Sequence, residues 1–328
     1  MRTITISGTD IVTSPIGMGC ASLGSRISRA QGLRALDAAF EAGVTWYDVA
    51  PAYGAGEAEG ILSAFIAARR SRIFICSKVG LAPPRHNGLI RGLYGLGRPL
   101  IGMAQGLRRR FRQVGATRNQ RIPLTGALIE QSLTWSLSRL GVDYLDVFAL
   151  HDPDPADLAR DDVLAALERV RSSGQARHIS VAGTFAAALA AAEHAVFDFF
   201  QLADDPALKP LLTLKSRLNR PAGFVTHSVL GIGGAKDKLI ARLRAAPHLN
   251  SLLAEQGYVG SIEAMATQLL MQRALASNSD GVVLASMFSA GHLSANAALA
   301  SQPVDARSIA LLDRLYADGD LPQMGQGA

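Results

Sequence analysis

The sequence is poor in cysteine and has no long uninterrupted apolar segment. Its 328 residues include two cysteines, Cys20 and Cys76, which excludes a disulfide framework and a metal site built on repeated cysteine spacing. No apolar run approaches the roughly 20 residues that span a bilayer, and residues 1–10 lack the apolar core of a signal peptide. We therefore expect a cytoplasmic protein with no integral membrane segment and no metal site.

Lysine is scarce in the first two thirds of the chain, where arginine carries nearly all of the positive charge. Lys78 is the only lysine before Lys209, and it ends an apolar segment. An ammonium group can shift its pKa or lose its proton, whereas a guanidinium group stays charged. The position of Lys78 therefore indicates a role that arginine does not fill.

The net charge of +6 comes from one segment. Residues 81–123 contain nine arginines and no Asp, Glu or Lys, and the rest of the chain carries a small net negative charge. A segment of this length fits a solvated basic flap, a lid over an anionic or sugar-acid substrate, or a contact with a membrane surface or an acidic partner. Nucleic-acid binding is not indicated, because no recognised module accompanies the arginines.

Apolar strand-like segments alternate with helical segments about eight times along the chain. Val44–Asp48, for example, is followed by the helical pattern of Glu57–Arg69 and then by the apolar segment Ile73–Lys78. Continuous apolar runs of this kind are typical of parallel strands that are covered on both faces. The pattern predicts an α/β fold in which the whole chain, 1–328, forms a single (β/α)8 TIM barrel.

Three features complete the predicted architecture. An N-terminal β-hairpin closes the bottom of the barrel, an extra helix follows at the C-terminus, and residues 319–328 form a loose tail. An open doubly wound sheet is the alternative fold. It is disfavoured because no G-x-G-x-x-G motif follows the first strand, so a Rossmann site is not indicated.

Polar side chains stand at the ends of three consecutive strands in this prediction. Asp48 ends the second strand, Tyr53 lies in the loop after it, Lys78 ends the third strand and His151 ends the fourth. Each alone has a structural explanation, as a turn carboxylate, a packed loop aromatic, a solvated lysine or a buried histidine. Because the carboxyl ends of barrel strands meet at one face, their joint placement indicates a catalytic site.

The segments that carry these four residues resemble the catalytic segments of the aldo-keto reductase family. They are Asp48–Gly54 (DVAPAYG), Ser77–Gly80 (SKVG) and Leu150–His151 (LH). The resemblance covers essentially the whole chain and is weakest in residues 81–123 and 202–253. It implies a TIM barrel that binds NADP(H) or NAD(H). It also implies an oxidoreductase that transfers a hydride between this cofactor and a carbonyl or alcohol, such as an aldehyde, ketone or sugar.

The resemblance also implies a role for each of the four residues. Tyr53 is the general acid/base, and Lys78 stabilises its phenolate, because an ordinary tyrosine is a weak acid. Asp48 holds Lys78 charged and oriented. His151 donates a hydrogen bond to the carbonyl oxygen and positions it, so that Tyr53 and His151 form an oxyanion-type site.

The segments implied to bind the cofactor depart from the family pattern. Ala182–Gly183 stand where the family has Ser-Asn, and Asp204 lies near the place of a missing ring-stacking tyrosine. Phe288 stands where NADP-preferring members carry Arg or Lys, the strongest partner for a 2′-phosphate. The cofactor-binding candidates are Gly19, Cys20, Gly183, Gln201, Ser228, Leu230, Gly231, Ser286, Phe288, His292 and Asn296.

A complete catalytic set beside an altered cofactor site leaves two interpretations. One is a working reductase or dehydrogenase with relaxed cofactor choice or a preference for NAD(H). The other is a catalytically decayed barrel that serves as a binding or regulatory protein. Retention of all four rim residues favours the enzyme. The substrate, the direction of reaction and the oligomeric state are left open by the sequence.

Overall fold

The computed structural model describes residues 1–82 and 120–317, and parallel strands form a closed barrel there. In chain order the strands are β1 (Ile4–Thr5), β2 (Val12–Thr13), β3 (Ile16–Gly19), β4 (Trp46–Asp48), β5 (Phe74–Val79), β6 (Leu81–Ala82), β7 (Gln120–Arg121), β8 (Leu145–His151), β9 (Ala176–Gly183), β10 (Phe199–Ala203), β11 (Gly223–His227) and β12 (Val282–Ala285).

Eight of these strands form the barrel, in the order β3-β4-β5-β8-β9-β10-β11-β12. The barrel closes because β12 pairs in parallel with β3, which rejects the open sheet. The barrel strands are mostly apolar and buried. In β8, for example, every residue before the terminal His151 is buried. The predicted (β/α)8 barrel is therefore confirmed, and its strands are covered by the interior on one side and by helices on the other.

Helices follow the barrel strands and cover the outside of the sheet. Several begin where a Ser or Thr side chain accepts a hydrogen bond from the backbone N–H three residues on, as Ser28 and Thr184 do. The α-helices are α1 (Arg29–Glu41), α2 (Ala58–Ile66), α3 (Gly126–Leu140), α4 (Asp161–Ser172), α5 (Phe185–Ala192), α6 (Pro210–Arg217), α7 (Ala235–Ala245), α8 (Pro247–Glu255), α9 (Ile262–Ser277), α10 (Ala290–Ser301) and α11 (Arg307–Ala317).

The N-terminal hairpin closes the amino-terminal end of the barrel, as predicted. Strands β1 and β2 pair antiparallel, with Ile4 opposite Thr13. Ile4 and Ile6 are buried in one apolar cluster with Trp46 and Phe199, which begin β4 and β10 and point into the barrel. Apolar hairpin side chains therefore fill the bottom of the interior, and the opposite, carboxyl end stays available for ligands.

A second hydrophobic cluster lies outside the barrel, among α7, α8, α9 and α11. It contains Leu243, Leu253, Leu269 and Leu312, all buried. Helix α11 is the predicted extra C-terminal helix. Helices α6, α7 and α8 were not predicted, because their short apolar stripes are interrupted by polar and charged residues.

The two described ends of the Arg-rich segment lie side by side. Strand β6 pairs antiparallel with β7, and the Ile122 N–H donates to the carbonyl of Gly80 at 2.9 Å. The rest of the predicted flap or lid, and the predicted tail 319–328, lie outside the described residues. Within the described ranges, none of the helices is long and apolar enough to cross a membrane. The same ranges contain no cluster of His, Cys, Asp and Glu suited to a metal ion.

Candidate active site

The alternation of side chains along the strands brings three predicted residues to the inside of the barrel mouth. Cys76 on β5 and Ala149 on β8 belong to the apolar cluster that fills the interior. Two residues further on, at the carboxyl ends of the strands, Lys78 and His151 point to the same side. Asp48, which pairs with Cys76 in the register of β4 and β5, reaches this layer from the neighbouring strand.

Lys78 and Asp48 form a buried ion pair. The Lys78 Nζ lies 2.5 Å from the Asp48 Oδ1 and also donates to the Val49 carbonyl at 3.2 Å. Exposure is 1% for Lys78 and 2% for Asp48. Burial by itself lowers the pKa of Lys78, but the attraction of Asp48, with a smaller contribution from Tyr53, raises it above its ordinary value. Lys78 is therefore a fixed cation at neutral pH.

Tyr53 is held beside Lys78 by a short helical turn, Tyr53–Gly56, in the loop after β4. The turn needs Gly54, whose φ is +61° and whose added Cβ would lie 1.8 Å from the Leu23 carbonyl oxygen. The Lys78 Nζ lies 5.3 Å from the centre of the Tyr53 ring. The Tyr53 ring is half-buried, and Tyr53 and Lys78 both line the cavity at the barrel mouth.

His151 meets the Tyr53 ring edge to face. The ring centroids are 5.6 Å apart and the ring planes cross at 85°. Gly80 lets the end of β5 pack against the backbone of His151, because its φ is +128° and an added Cβ would lie 2.6 Å from the His151 carbonyl oxygen. Burial, with smaller effects of Lys78 and His227, lowers the pKa of His151 to about 3. The imidazole is therefore neutral at neutral pH and can donate one hydrogen bond.

The acidity of Tyr53 differs from the expectation that Lys78 would make it a stronger acid. Burial raises the pKa of Tyr53 to about 12, although the charge of Lys78 and a hydrogen bond from it act in the opposite direction. Desolvation of the phenolate thus outweighs the neighbouring cation. At neutral pH Tyr53 is a protonated phenol, ready to donate its proton.

A cavity of about 1580 Å³ opens above these groups, and Asp48, Tyr53, Lys78 and His151 line one side of it. Its volume exceeds the roughly 300–1,000 Å³ of ordinary small-ligand pockets. Most of the predicted cofactor-binding residues line the same cavity. They are Gly19, Gly183, Gln201, Ser228, Leu230, Gly231, Ser286, His292 and Asn296.

Two predicted cofactor-binding residues are not among those that line the cavity. Cys20 is fully buried, and Phe288 is 8% exposed and packs in the main core cluster with Met287 and Leu293. Asp204, expected near the place of a stacking tyrosine, is also not among the residues that line the cavity. It is fully buried and forms an ion pair with Arg273, Oδ2 to Nη1, at 2.5 Å. Neither Phe288 nor Asp204 therefore blocks the cavity.

Gln201 presents a polar atom that the protein does not satisfy. Its side chain is 4% exposed and lines the cavity, and the Oε1 has no hydrogen-bond partner within the described residues. Buried amide oxygens are nearly always paired. The atom is therefore suited to accept a hydrogen bond from a ligand N–H.

His227 belongs to the site but was not singled out from the sequence. It ends β11 as His151 ends β8, and it lines the cavity. Its Nδ1 lies 3.0 Å from the Ser228 Oγ. The two-residue period of the strand could have revealed His227 from the sequence. The buried Val225 points into the barrel, and His227 follows it on the same side.

The sequence and the fold match known proteins over most of the chain. The family model described as "Aldo/keto reductase family" matches residues 15–317. A D-threo-aldose 1-dehydrogenase of a Pseudomonas species is 30% identical over 66% of this chain. The matched regions span between 48% and 66% of the length of the three curated relatives.

Two solved structures have the same fold. The holo form of aldo-keto reductase AKR11C1 from Bacillus halodurans is 18% identical, with a TM-score of 0.67 and 96% of each chain covered. An aldo-keto reductase from Klebsiella pneumoniae in complex with NADPH is 21% identical, with a TM-score of 0.65 and 96% of each chain covered. The barrel, the residues at its mouth and the family match lead to one conclusion: this chain belongs to the aldo/keto reductase family.

Proposed function

We propose that the protein is a nicotinamide-dependent oxidoreductase that interconverts a carbonyl and an alcohol, with Tyr53 as the general acid and base. The observation that carries the proposal is the convergence of three polar groups on one side of the cavity. Tyr53, the Asp48–Lys78 pair and the neutral His151 meet there, although they come from three different strands and a loop.

The cavity fits a dinucleotide together with a small substrate. Its volume is larger than one drug-sized ligand requires. The unpaired Oε1 of Gln201 suits the amide N–H of a nicotinamide carboxamide. The exposed Ser228 hydroxyl offers a donor to phosphate oxygens at the far side of the cavity. When bound, the nicotinamide supplies or accepts the hydride.

The side chains of the protein orient the substrate oxygen and transfer the proton. The Tyr53 hydroxyl and the His151 imidazole N–H would donate hydrogen bonds to the carbonyl oxygen of the substrate and so orient it. As the hydride reaches the carbonyl carbon, the oxygen becomes an alkoxide and takes the proton of Tyr53. Lys78 then stabilises the Tyr53 phenolate, and Asp48 keeps Lys78 charged and in place.

The charge state of Tyr53 favours carbonyl reduction at neutral pH. With a pKa of about 12, the phenol is protonated there and is ready to act as an acid. Alcohol oxidation needs the phenolate instead, which becomes more abundant as the pH rises. We propose aldehydes, ketones and aldoses as substrates. The aldose is suggested by the D-threo-aldose 1-dehydrogenase relative, and NADP(H) by the Klebsiella pneumoniae structure.

The test is the substitution Tyr53→Phe in the full chain. We expect turnover of carbonyl substrates, followed by nicotinamide absorbance, to fall by about 10²- to 10⁴-fold, because the proton donor is lost. The dissociation constants of NADPH and NADH, measured by fluorescence titration, should change little.

Tyr47→Phe is the matched control. Tyr47 is buried on the outer side of the sheet, where its hydroxyl donates to the Val44 carbonyl at 3.1 Å. This substitution also removes one hydroxyl from a buried tyrosine, but away from the cavity, and turnover should be retained. Full turnover by Tyr53→Phe would contradict the proposed role, and failure to bind either dinucleotide would contradict the proposed reaction.

A further inference from the structure

Most charged side chains that line the cavity are paired within the described part of the chain. The pairs are Asp48–Lys78, Asp152–Arg121 and Glu263–Arg244. In the same ranges, three charged residues of the cavity lining form no ion pair. They are Arg26, Asp205 and Lys236. A charge of this kind is available to a ligand of opposite charge.

The three unpaired charges lie on two sides of the cavity. Asp205 and Lys236 follow β10 and β11, on the side of Ser228, which we proposed as a donor to the dinucleotide phosphates. Arg26 lies instead in the loop between β3 and α1. Strand β3 pairs with β4 on one side and with β12 on the other, so the contacts of the loop decide which side it faces.

The contacts of this loop place it against the turn that holds Tyr53. The Cys20 N–H donates to the Asp48 carbonyl at 2.9 Å, which connects the start of the loop to the end of β4. A Cβ added to Gly54 would lie 1.8 Å from the Leu23 carbonyl oxygen, so the loop passes directly over the residue after Tyr53. Arg26 is therefore carried on the side of the catalytic candidates.

A hydrogen bond holds the Arg26 guanidinium at the rim of the cavity. Its Nη2 donates to the Ser22 Oγ at 2.6 Å, and Ser22 is 6% exposed and lines the cavity. The Ser25 and Ile27 N–H groups both donate to the Ser22 carbonyl, so the loop folds back on itself at this point. The bond to Ser22 is the only one that the guanidinium makes within the described ranges. A guanidinium has five N–H donors, so the others are available to a ligand.

The chemistry of these donors indicates what they bind. A guanidinium stays charged, and its parallel N–H groups match two oxygens of a carboxylate or a phosphate. Among the described residues on this side of the mouth the other charges cancel, because Lys78 is paired with Asp48 and Asp152 with Arg121. These residues therefore present one net positive charge to the substrate side of the cavity.

We propose that Arg26 is a specificity-determining residue that binds a carboxylate or phosphate group of the substrate. The inference rests on the proposed function, and it narrows the substrates to carbonyl compounds that carry an anionic group, such as sugar acids or sugar phosphates. A carbonyl oxygen that meets Tyr53 and His151 lies above the apolar cluster that fills the interior. The rest of the substrate therefore extends outward, to the rim where Arg26 lies.

The effect of Arg26 should appear in KM. The anionic group lies away from the reacting carbonyl, so its contact with Arg26 stabilises the bound substrate and the transition state alike, and kcat is unchanged. The phosphates of the dinucleotide are the alternative ligand for the same charge. In that case a substitution of Arg26 would weaken dinucleotide binding and leave the choice between anionic and neutral substrates as it was.

The experiment compares matched aldehydes with and without an anionic group, at saturating dinucleotide. Succinic semialdehyde is paired with butanal for the carboxylate, and glyceraldehyde 3-phosphate with glyceraldehyde for the phosphate. In the wild-type protein, kcat/KM should be about tenfold higher for the anionic member of at least one pair, through a lower KM.

Arg26→Gln keeps a polar side chain but removes the charge, so the preference should fall to within about twofold of unity. Its kcat/KM for the neutral aldehydes and its dissociation constants for NADPH and NADH should stay within about twofold of wild type. Arg26→Lys keeps the charge without the parallel N–H groups, and it should retain part of the preference.

Arg29→Gln is the matched control. Arg29 is exposed at the start of α1, in the same part of the chain as Arg26, but it is not among the residues that line the cavity. Its Nη1 donates to the Gly60 carbonyl at 3.4 Å. This variant should retain the wild-type preference for the anionic aldehyde.

No preference for either anionic aldehyde in the wild-type protein, or an equal preference in Arg26→Gln, would overturn this inference alone. A loss of dinucleotide affinity in Arg26→Gln with the preference retained would also overturn it, and would assign Arg26 to the dinucleotide phosphates. Absence of binding by either dinucleotide, together with no turnover of any of the four aldehydes, would overturn the proposed function and this inference together.

Discussion

Two buried ion pairs lie near the mouth of this barrel, and they are closely similar in distance and in burial. Lys78–Asp48 and Arg273–Asp204 both have an N···O distance of 2.5 Å and side chains that are at most 3% exposed. In each pair one carboxylate oxygen, Oδ2 of Asp48 or Oδ1 of Asp204, has no hydrogen-bond partner in the described part of the chain.

The two pairs differ in what they face. Lys78 and Asp48 line the cavity beside Tyr53, whereas Asp204 and Arg273 are not among its lining residues. The Asp204–Arg273 pair instead connects the end of β10 to the buried side of α9. A pair that faces a cavity can act on a ligand, and a pair enclosed by protein can act only on the fold. We therefore propose a catalytic role for the first pair and loop positioning for the second.

The largest expected effect comes from Lys78→Met. Without the cation the Tyr53 phenolate is not stabilised, and turnover should fall by about 10²- to 10⁴-fold, measured as hydride transfer at saturating dinucleotide. The variant should also lose about 3–5 kcal/mol of unfolding free energy, because Asp48 stays buried without a partner.

The double variant Lys78→Met with Asp48→Asn separates these two effects. It removes the unpaired charge, so it should recover much of the stability while turnover stays low. If turnover returned together with stability, Lys78 would be acting only through the fold, and the contrast between the two pairs would be lost.

The convergence of the proposed catalytic residues could be predicted from the sequence because its signals are local. Asp48, Lys78 and His151 each end an apolar run, and Tyr53 lies in a loop marked by Pro51 and Gly54. Strand ends of a parallel barrel meet at one face, so position in the strand already gives position in the site. The complete barrel followed from the same repeated pattern.

The opposite side could not be predicted in the same way because its contacts are distant in sequence. Asp204 and Arg273 are 69 residues apart, and Arg273 follows Gln272 in a helix with several polar residues, so the pattern indicates a surface position. The burial of Phe288 depends on how the loop after β12 packs, which no local pattern reports. His227 is the exception, since the alternation along β11 contained the signal.

The second prediction concerns the enclosed pair. Arg273→Met keeps the length of the side chain and leaves Asp204 buried without a partner, so the unfolding free energy in urea should fall by about 3–5 kcal/mol. The turnover number of the protein that remains folded should stay within about twofold of wild type. Addition of Asp204→Leu should recover most of the lost stability, because an apolar pair replaces a buried pair at little cost.

Arg169→Met is the matched control for an exposed arginine. Arg169 pairs with Glu130 at 2.7 Å, and their side chains are 59% and 44% exposed. Exposed ion pairs contribute about 0–1 kcal/mol, so this variant should be nearly as stable as wild type. A large loss of turnover in Arg273→Met at unchanged stability would reverse the assignment of the two pairs.

The smallest expected effect is a pH dependence of stability on the catalytic side. Burial lowers the pKa of His151 to about 3, while in the unfolded chain it titrates near 6.5. Between these values the unfolded state binds more protons than the folded state, so the contribution of His151 to stability is complete above pH 6.5 and is lost as the pH falls. Relative to His151→Gln, wild type should lose about 1–2 kcal/mol of unfolding free energy between pH 7 and pH 5 in urea unfolding.

His248→Gln, at an exposed position, should follow the wild-type curve. Parallel curves for wild type and His151→Gln would mean that His151 is as well solvated in the folded protein as in the unfolded chain, and that the catalytic side of the mouth is as open to water as the far end of the cavity.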